Sequence, residues 1–185
     1  ALSHHLGDRI LLAVAGLSVL GILYGMPIVP ASLRRFWRGS KIKDIPGSKT
    51  LSVALAWGVV ISLLPLLGSD PGGFPASIIS VLFVFSMVYI RSALFDIFQA
   101  QGDLIVGMET LPIVLGEKRT LHLLKGIVVL SGFMLLLAPL FGLVGRFSYL
   151  LILCCLSIGL CVMAYERRWI YPGTRLEAMV EGNLF

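Results

Sequence analysis

Residues 91–120 read RSALFDIFQAQGDLIVGMETLPIVLGEKRT, and here acidic groups stand beside long apolar runs at a defined spacing. Asp96 and Asp103 are seven positions apart, almost two full helical turns. On a helix, Asp96, Gln99, Asp103 and Gly107 share one stripe, with Leu94, Phe95, Ile97, Phe98 and Ile105 directed elsewhere. Two carboxylates about 10 Å apart along an axis suit a hard divalent cation that also holds a diphosphate. Mg²⁺ prefers oxygen ligands and commonly takes only one or two carboxylates plus substrate phosphates. The spacing is equally satisfied by a juxtamembrane loop whose acids sit in water.

The rest of the chain decides the setting. Of its 185 residues, 57% are hydrophobic and 14% charged, far from the balance of a soluble domain. Runs without Asp, Glu, Lys or Arg occupy 10–33, 51–69, 71–90, 126–145 and 147–165. A helix needs about 20 apolar residues to cross a bilayer, so five spans are expected. A sixth run starts near Leu176. No period-two alternation supports barrel strands, and the expected class is an all-α, polytopic transmembrane helical bundle. The run from Ile10 lacks a basic leader and is too long for the apolar part of a signal peptide. Cys154, Cys155 and Cys161 fall inside one run, with neither zinc nor disulfide-framework spacing, and read as packing residues. His4, His5 and His122 show no ligand spacing with other candidates.

The net charge of +5 follows topology and does not point to nucleic acid. If the spans alternate, the loops at 31–50, 91–125 and 166–175 share one side. That side carries Arg34, Arg35, Arg38, Lys41, Lys43, Lys49, Arg91, Lys118, Arg119, Lys125, Arg167, Arg168 and Arg175. The other side keeps Arg9 and Arg146. Basic residues accumulate in cytoplasmic loops, so the aspartate segment is expected to face the cytoplasm. The stretch 24–50 reads YGMPIVPASLRRFWRGSKIKDIPGSKT. Such a basic loop serves as an orientation signal and headgroup contact, or it neutralises a diphosphate. Tyr165 to Trp169 reads as an interfacial anchor.

Residues 96–112 resemble the second aspartate motif of the UbiA superfamily of membrane prenyltransferases, D-I-x-D-x-x-G-D-R-x-x-G-K-x-T-L-P. Asp96, Ile97, Gly102, Asp103, Gly107, Thr110, Leu111 and Pro112 are in register. Gln99 stands for the middle Asp, Leu104 for Arg and Met108 for Lys. The family's Tyr-Ser…Lys…Ile-Pro-x-x-Lys-Asn segment is matched by Tyr24, Lys43, Ile45, Pro46 and Lys49, with Gly25 and Thr50 replacing Ser and Asn.

The resemblance implies that residues 1–185 are the C-terminal portion of one membrane-embedded prenyltransferase domain, similar to 4-hydroxybenzoate polyprenyltransferases. The family's first aspartate motif, Asn-Asp-x-x-Asp, is then missing with the helices that carry it, and this portion alone is expected to be inactive. The implied reaction moves a prenyl group from a prenyl diphosphate to a lipophilic, typically aromatic acceptor with Mg²⁺. It belongs to quinone or related isoprenoid biosynthesis, including ubiquinone, in a bacterial inner membrane. By carry-over, Asp96 and Asp103 hold the metal and are the catalytic pair, and Gln99 orders a metal-bound water. Lys43, Lys49 and Arg91 contact phosphate, and Tyr24 lies near the acceptor. The competing class is a transporter or non-catalytic membrane protein, which would place ionisable groups near the midplane.

The charge asymmetry makes a topological prediction. Single cysteines at Ser40 and Gln101, in a cysteine-free background, should react with an impermeant thiol reagent from one side of the membrane. A cysteine at Gly72 should react from the other side, and labelling of Ser40 and Gly72 positions from the same side would sink the arrangement.

Overall fold

The computed structural model describes residues 8–26, 47–67, 74–106, 110–171 and 173–182. Within them the chain is all-helical. In order, the helices are α1 (Asp8–Gly25), α2 (Ser48–Gly58), a π-helical turn (Val59–Leu63) running into α3 (Leu64–Leu67), and α4 (Phe74–Val106). They continue with α5 (Leu111–Leu115), α6 (Glu117–Leu137), α7 (Ser148–Glu166) and α8 (Thr174–Glu181).

The long helix α4 is the hub. It begins at Phe74-Pro75, where a proline in the first turn costs no hydrogen bond because its N–H would have no helical partner. It then runs 33 residues. α2 and the π turn pack on one side of it, α6 on another, and α5, α7 and α8 touch it towards its C-terminal half. α6 and α7 form an antiparallel pair joined through the turn at 138–147. The core follows this arrangement. Ile90, Ala93 and Leu94 of α4 are fully buried, as are Leu124 of α6, Ile158 and Val162 of α7, and Leu176 and Val180 of α8. The outward faces of α6 and α7 expose Leu130, Phe133, Leu153 and Leu160. Large apolar faces of this kind are stable where lipid, not water, surrounds them.

Among the described residues, three helical stretches are long and apolar enough to cross a membrane: Phe74–Ile105, Glu117–Leu137 and Ser148–Glu166. The molecule is therefore built for a bilayer. The other two expected runs give shorter apolar helices, Ile10–Tyr24 and Ser48–Ser62. The second is interrupted by the π turn just ahead of Pro65, whose ring and missing N–H disturb the α-helical ladder. The apolar run expected to end at Ile90 instead continues as helix to Val106, so the aspartates sit on α4 and not in a loop. Near Leu176, where a sixth run begins, an eight-residue amphipathic helix turns Leu176 and Val180 inward. Cys155 and Cys161 are buried, as packing residues should be. His122 is exposed, its Nδ1 2.7 Å from the Lys118 carbonyl of its own helix.

Helix contacts inside the bilayer are close where side chains are small. A Cβ on Gly58 would lie 3.1 Å from the Val81 carbonyl oxygen of α4. Across the same seam Ser62 and Ser80 hydroxyls are 2.7 Å apart. Gly58→Leu should therefore drive α2 from α4 and cost roughly 1–3 kcal/mol. Gly126→Ala, where nothing lies within 4 Å, should be neutral or slightly stabilising. Thermal unfolding of the two variants in detergent checks the contrast.

Candidate functional site

The C-terminal half of α4 extends the buried stripe upward into polar groups. Asp96 is half-buried, and its Oδ2 accepts a 2.6 Å hydrogen bond from the Thr50 hydroxyl of α2. The charges of Lys49 and Asp103 both act on this carboxylate. Lys49 itself is exposed, one residue ahead of Thr50. Asp103, also half-buried, rises about 10 Å beyond Asp96 along the axis. Gln99 is exposed on the flank of the same stripe. Tyr24 of α1 brings its hydroxyl to 3.5 Å from Ser48 Oγ, too long for a tight hydrogen bond but close enough to put α1 beside the start of α2.

The start of α2 is fixed by a second contact. Gly47 takes φ 75, a left-handed conformation that side chains resist, and a Cβ there would come 2.9 Å from Leu111 Cδ1. Leu111 follows Thr110, the residue in extended conformation that precedes α5, and Pro112 is buried at the first turn. Thus Leu111, at the start of α5, lies against the residue that begins the turn into Lys49 and Thr50.

The structure gathers Tyr24, Lys49, Asp96 and Asp103 towards one end of α4 and leaves Arg91 elsewhere. Five residues of helix turn through 500°, so Arg91 points about 140° away from Asp96 and lies about 7.5 Å nearer the helix start. There its guanidinium pairs with Glu181 of α8 and lies over the Phe95 ring, 5.1 Å from the centroid. Arg91 thus serves as the anchor of α8. Lys43 lies outside the described residues, as do Ile45, Pro46, Gly107 and Met108.

Three residues belong with the site although their roles were not singled out from sequence. Thr50 sits where the resembled segment has Asn, and its hydrogen-bonding capacity was the available signal. Tyr89 is one heptad before Asp96 on the same stripe, buried and within range of the Asp96 charge. Its signal was the periodicity itself. Ser48 had no comparable sequence mark.

On the other flank of α4, a separate polar latch ties α6 to α7. Lys125 Nζ reaches both carboxylate oxygens of Glu166 at 2.8 and 2.9 Å, and the Tyr165 hydroxyl donates to Glu117 at 3.0 Å. Phe98 of α4 packs on the Tyr165 ring at 5.3 Å. This latch positions α7 against the site helix without entering the aspartate stripe.

No group of three or more His, Cys, Asp or Glu able to hold a metal occurs among the described residues. The donors present, two carboxylates and a hydroxyl, are hard oxygens, the ligand type Mg²⁺ takes, and are too few for an all-protein site. Their separation along the helix means that each carboxylate would approach such an ion from its own position. No family model, curated protein or solved structure matches the chain.

The Thr50–Asp96 bond is the testable joint of this site. Thr50→Val should leave a half-buried carboxylate short of its donor and cost about 1–3 kcal/mol, whereas Thr50→Ser should keep most of it. In a double-mutant cycle with Asp96→Ala, which removes the acceptor, thermal unfolding should give a coupling of about 1 kcal/mol or more. Additive effects of the two changes would show that the bond does not join α2 to α4.

Proposed function

We propose that this chain is the C-terminal part of an integral membrane prenyltransferase of the UbiA type. In this reading it transfers a prenyl group from a prenyl diphosphate to a lipophilic, typically aromatic acceptor. One observation carries the proposal. The two stretches that separately resemble the family's motifs, around Lys49-Thr50 and around Asp96, meet through the 2.6 Å Thr50–Asp96 hydrogen bond. Packing of α2 along α4 brings these ends close, and the hydrogen bond between the two resembling stretches is what supports a shared site.

The chemistry asked of the residues is modest. An allylic diphosphate ionises at its C–O bond, the electron pair leaves with the diphosphate, and the allylic cation is captured by an electron-rich acceptor that then loses a proton. Bound Mg²⁺ would stabilise the negative charge developing on the leaving group. Asp96 and Asp103 supply the carboxylates for it, and the Thr50 hydroxyl holds Asp96 in one rotamer. Lys49 adds a mobile positive charge for phosphate oxygens, and Gln99 offers its amide to a coordinated water. Tyr24 lies across from them on α1, near the acceptor. The apolar interior below Asp96 keeps water from the cation. Arg91, occupied by Glu181 on another face, has no part in the proposed site.

The remaining expectations belong to the same proposal: five spans, a cytoplasmic aspartate end, a bacterial inner membrane and a role in quinone or related isoprenoid biosynthesis. The apolar helices support the bilayer setting and the distribution of basic residues the cytoplasmic aspartate end; the bacterial membrane and the biosynthetic role rest on the resemblance.

Prenyl transfer should be measured in membranes carrying the whole protein. Asp96→Asn and Asp103→Asn should each lower turnover by about 10²-fold or more, as loss of transition-state charge stabilisation does. Gln99→Asp should keep or raise activity and tighten Mg²⁺ dependence. Near-normal transfer with unchanged Mg²⁺ dependence in both Asn variants would end this reading of the site.

A further inference from the structure

α7 has 19 residues and so rises about 28 Å, close to the roughly 30 Å of bilayer hydrocarbon. Its last turn therefore emerges where hydrocarbon meets the headgroups. There the chain reverses in a Schellman motif: the Trp169 N–H donates to the Ala164 carbonyl at 2.9 Å and the Arg168 N–H to the Tyr165 carbonyl at 3.0 Å. The motif holds Arg168 at φ 56, a left-handed conformation in which glycine is the usual occupant and a side chain is penalised. Among the described residues, Arg168 is the one non-glycine with positive φ. Attraction to the helix dipole does not account for it, since a cation anywhere in the last turn gains as much.

The position after it is unusual too. A Schellman motif commonly closes with an apolar contact from the residue that Trp169 occupies. Trp169 is instead 67% exposed, with the Arg167 guanidinium 5.2 Å from its ring centroid. Tyr171 is 75% exposed, and Arg167 and Arg168 are exposed as well. Nearby acids do not neutralise the arginines, because Glu166 is held by Lys125 and Glu181 by Arg91. Among the described residues from 165 to 182, that leaves Glu177 against Arg167, Arg168 and Arg175. The turn thus keeps adjacent arginines and amphipathic rings out of the fold at headgroup depth, and accepts backbone strain to do so.

We infer that the turn at 167–171 binds the headgroup of an anionic phospholipid, with Arg167 and Arg168 on the phosphate and Trp169 and Tyr171 against the glycerol and the upper acyl chain. A guanidinium takes two phosphate oxygens through parallel hydrogen bonds. A zwitterionic lipid carries an ammonium group that offsets its own phosphate, so the arginines select a lipid of net negative charge. A free phosphate would leave both rings without a partner. The turn uses no residue of the proposed aspartate site, and the inference stands whether or not the chain is a prenyltransferase.

The test uses the whole protein in vesicles of phosphatidylcholine brominated in its acyl chains, which quenches tryptophan fluorescence. The signal of Trp169 is the difference from Trp169→Phe. Unbrominated phosphatidylglycerol should relieve quenching at Trp169 about 10-fold or more better than unbrominated phosphatidylcholine, and Arg167→Gln should cut that preference about 5-fold. Arg168→Gly should cut it similarly while unfolding at the same or a higher temperature, because glycine suits the turn. Arg119→Gln, which alters an exposed arginine in the first turn of α6 at the same end of the α6–α7 pair, should leave the preference unchanged. Millimolar inorganic phosphate or pyrophosphate should not displace the lipid. Equal relief by the two lipids, a preference unchanged in either Arg167→Gln or Arg168→Gly, an equal loss in Arg119→Gln, or displacement by the free anions would each overturn the inference.

Discussion

A helix of 33 residues rises about 50 Å, while the hydrocarbon of a bilayer is about 30 Å thick. That mismatch governs the molecule. Tilt absorbs part of it, and the remainder must emerge at the end where the sequence turns polar, beyond Ile90. Asp96 and Asp103 are thus carried on the same rigid rod that organises the core, above its apolar portion. The hydrogen bond to Thr50 and the fold-back of Leu111 onto Gly47 then attach neighbouring segments to the projecting part. A carboxylate on a helix supported by packing is held far better than one on a loop, which is the condition for any function that needs defined geometry.

The two sides of the rod do different work. One side meets α2 through small residues and hydroxyls, with Gly58 against the Val81 carbonyl and Ser62 against Ser80. The other meets α6, α7 and α8 through bulky apolar residues, closed by Phe98 on Tyr165 and Arg91 on Glu181. In lipid, apolar burial gives little drive for helices to associate, and close packing and interhelical hydrogen bonds carry more of the load. The α2 seam is built that way.

Much of this was legible from residue order, and the exceptions have physical reasons. Composition and run length announced membrane helices, whereas the seven-residue interval between Asp96 and Asp103 fitted a helix and a juxtamembrane loop equally, and the structure makes it helix. The polar character of residues 91–106 suggested a loop, but a helix already nucleated in the bilayer extends at little further cost. The shorter α1 and the π turn after Gly58 were hidden because an uncharged run fixes the environment and not the hydrogen-bond pattern. Arg91 was expected among the phosphate contacts, but it points about 140° away from Asp96 and meets Glu181, 90 positions away, with no local pattern linking the two. Thr50 with Asp96 is the same kind of case, a bond across 46 positions that only tertiary structure creates.

The Arg91–Glu181 pair also has a history in time. At about 5–20 residues per second, the 90 positions between them take the ribosome roughly 5–20 s to cross. During that interval Arg91 is a cation at the end of an apolar run with no carboxylate to meet it. A basic residue flanking a span is the very signal that orients membrane helices. On the proposed topology the same guanidinium is first an orientation mark for the nascent chain; in the finished protein it is the peg on which α8 hangs. Reversing the pair, Glu at 91 and Arg at 181, would preserve the finished contact while removing the earlier signal.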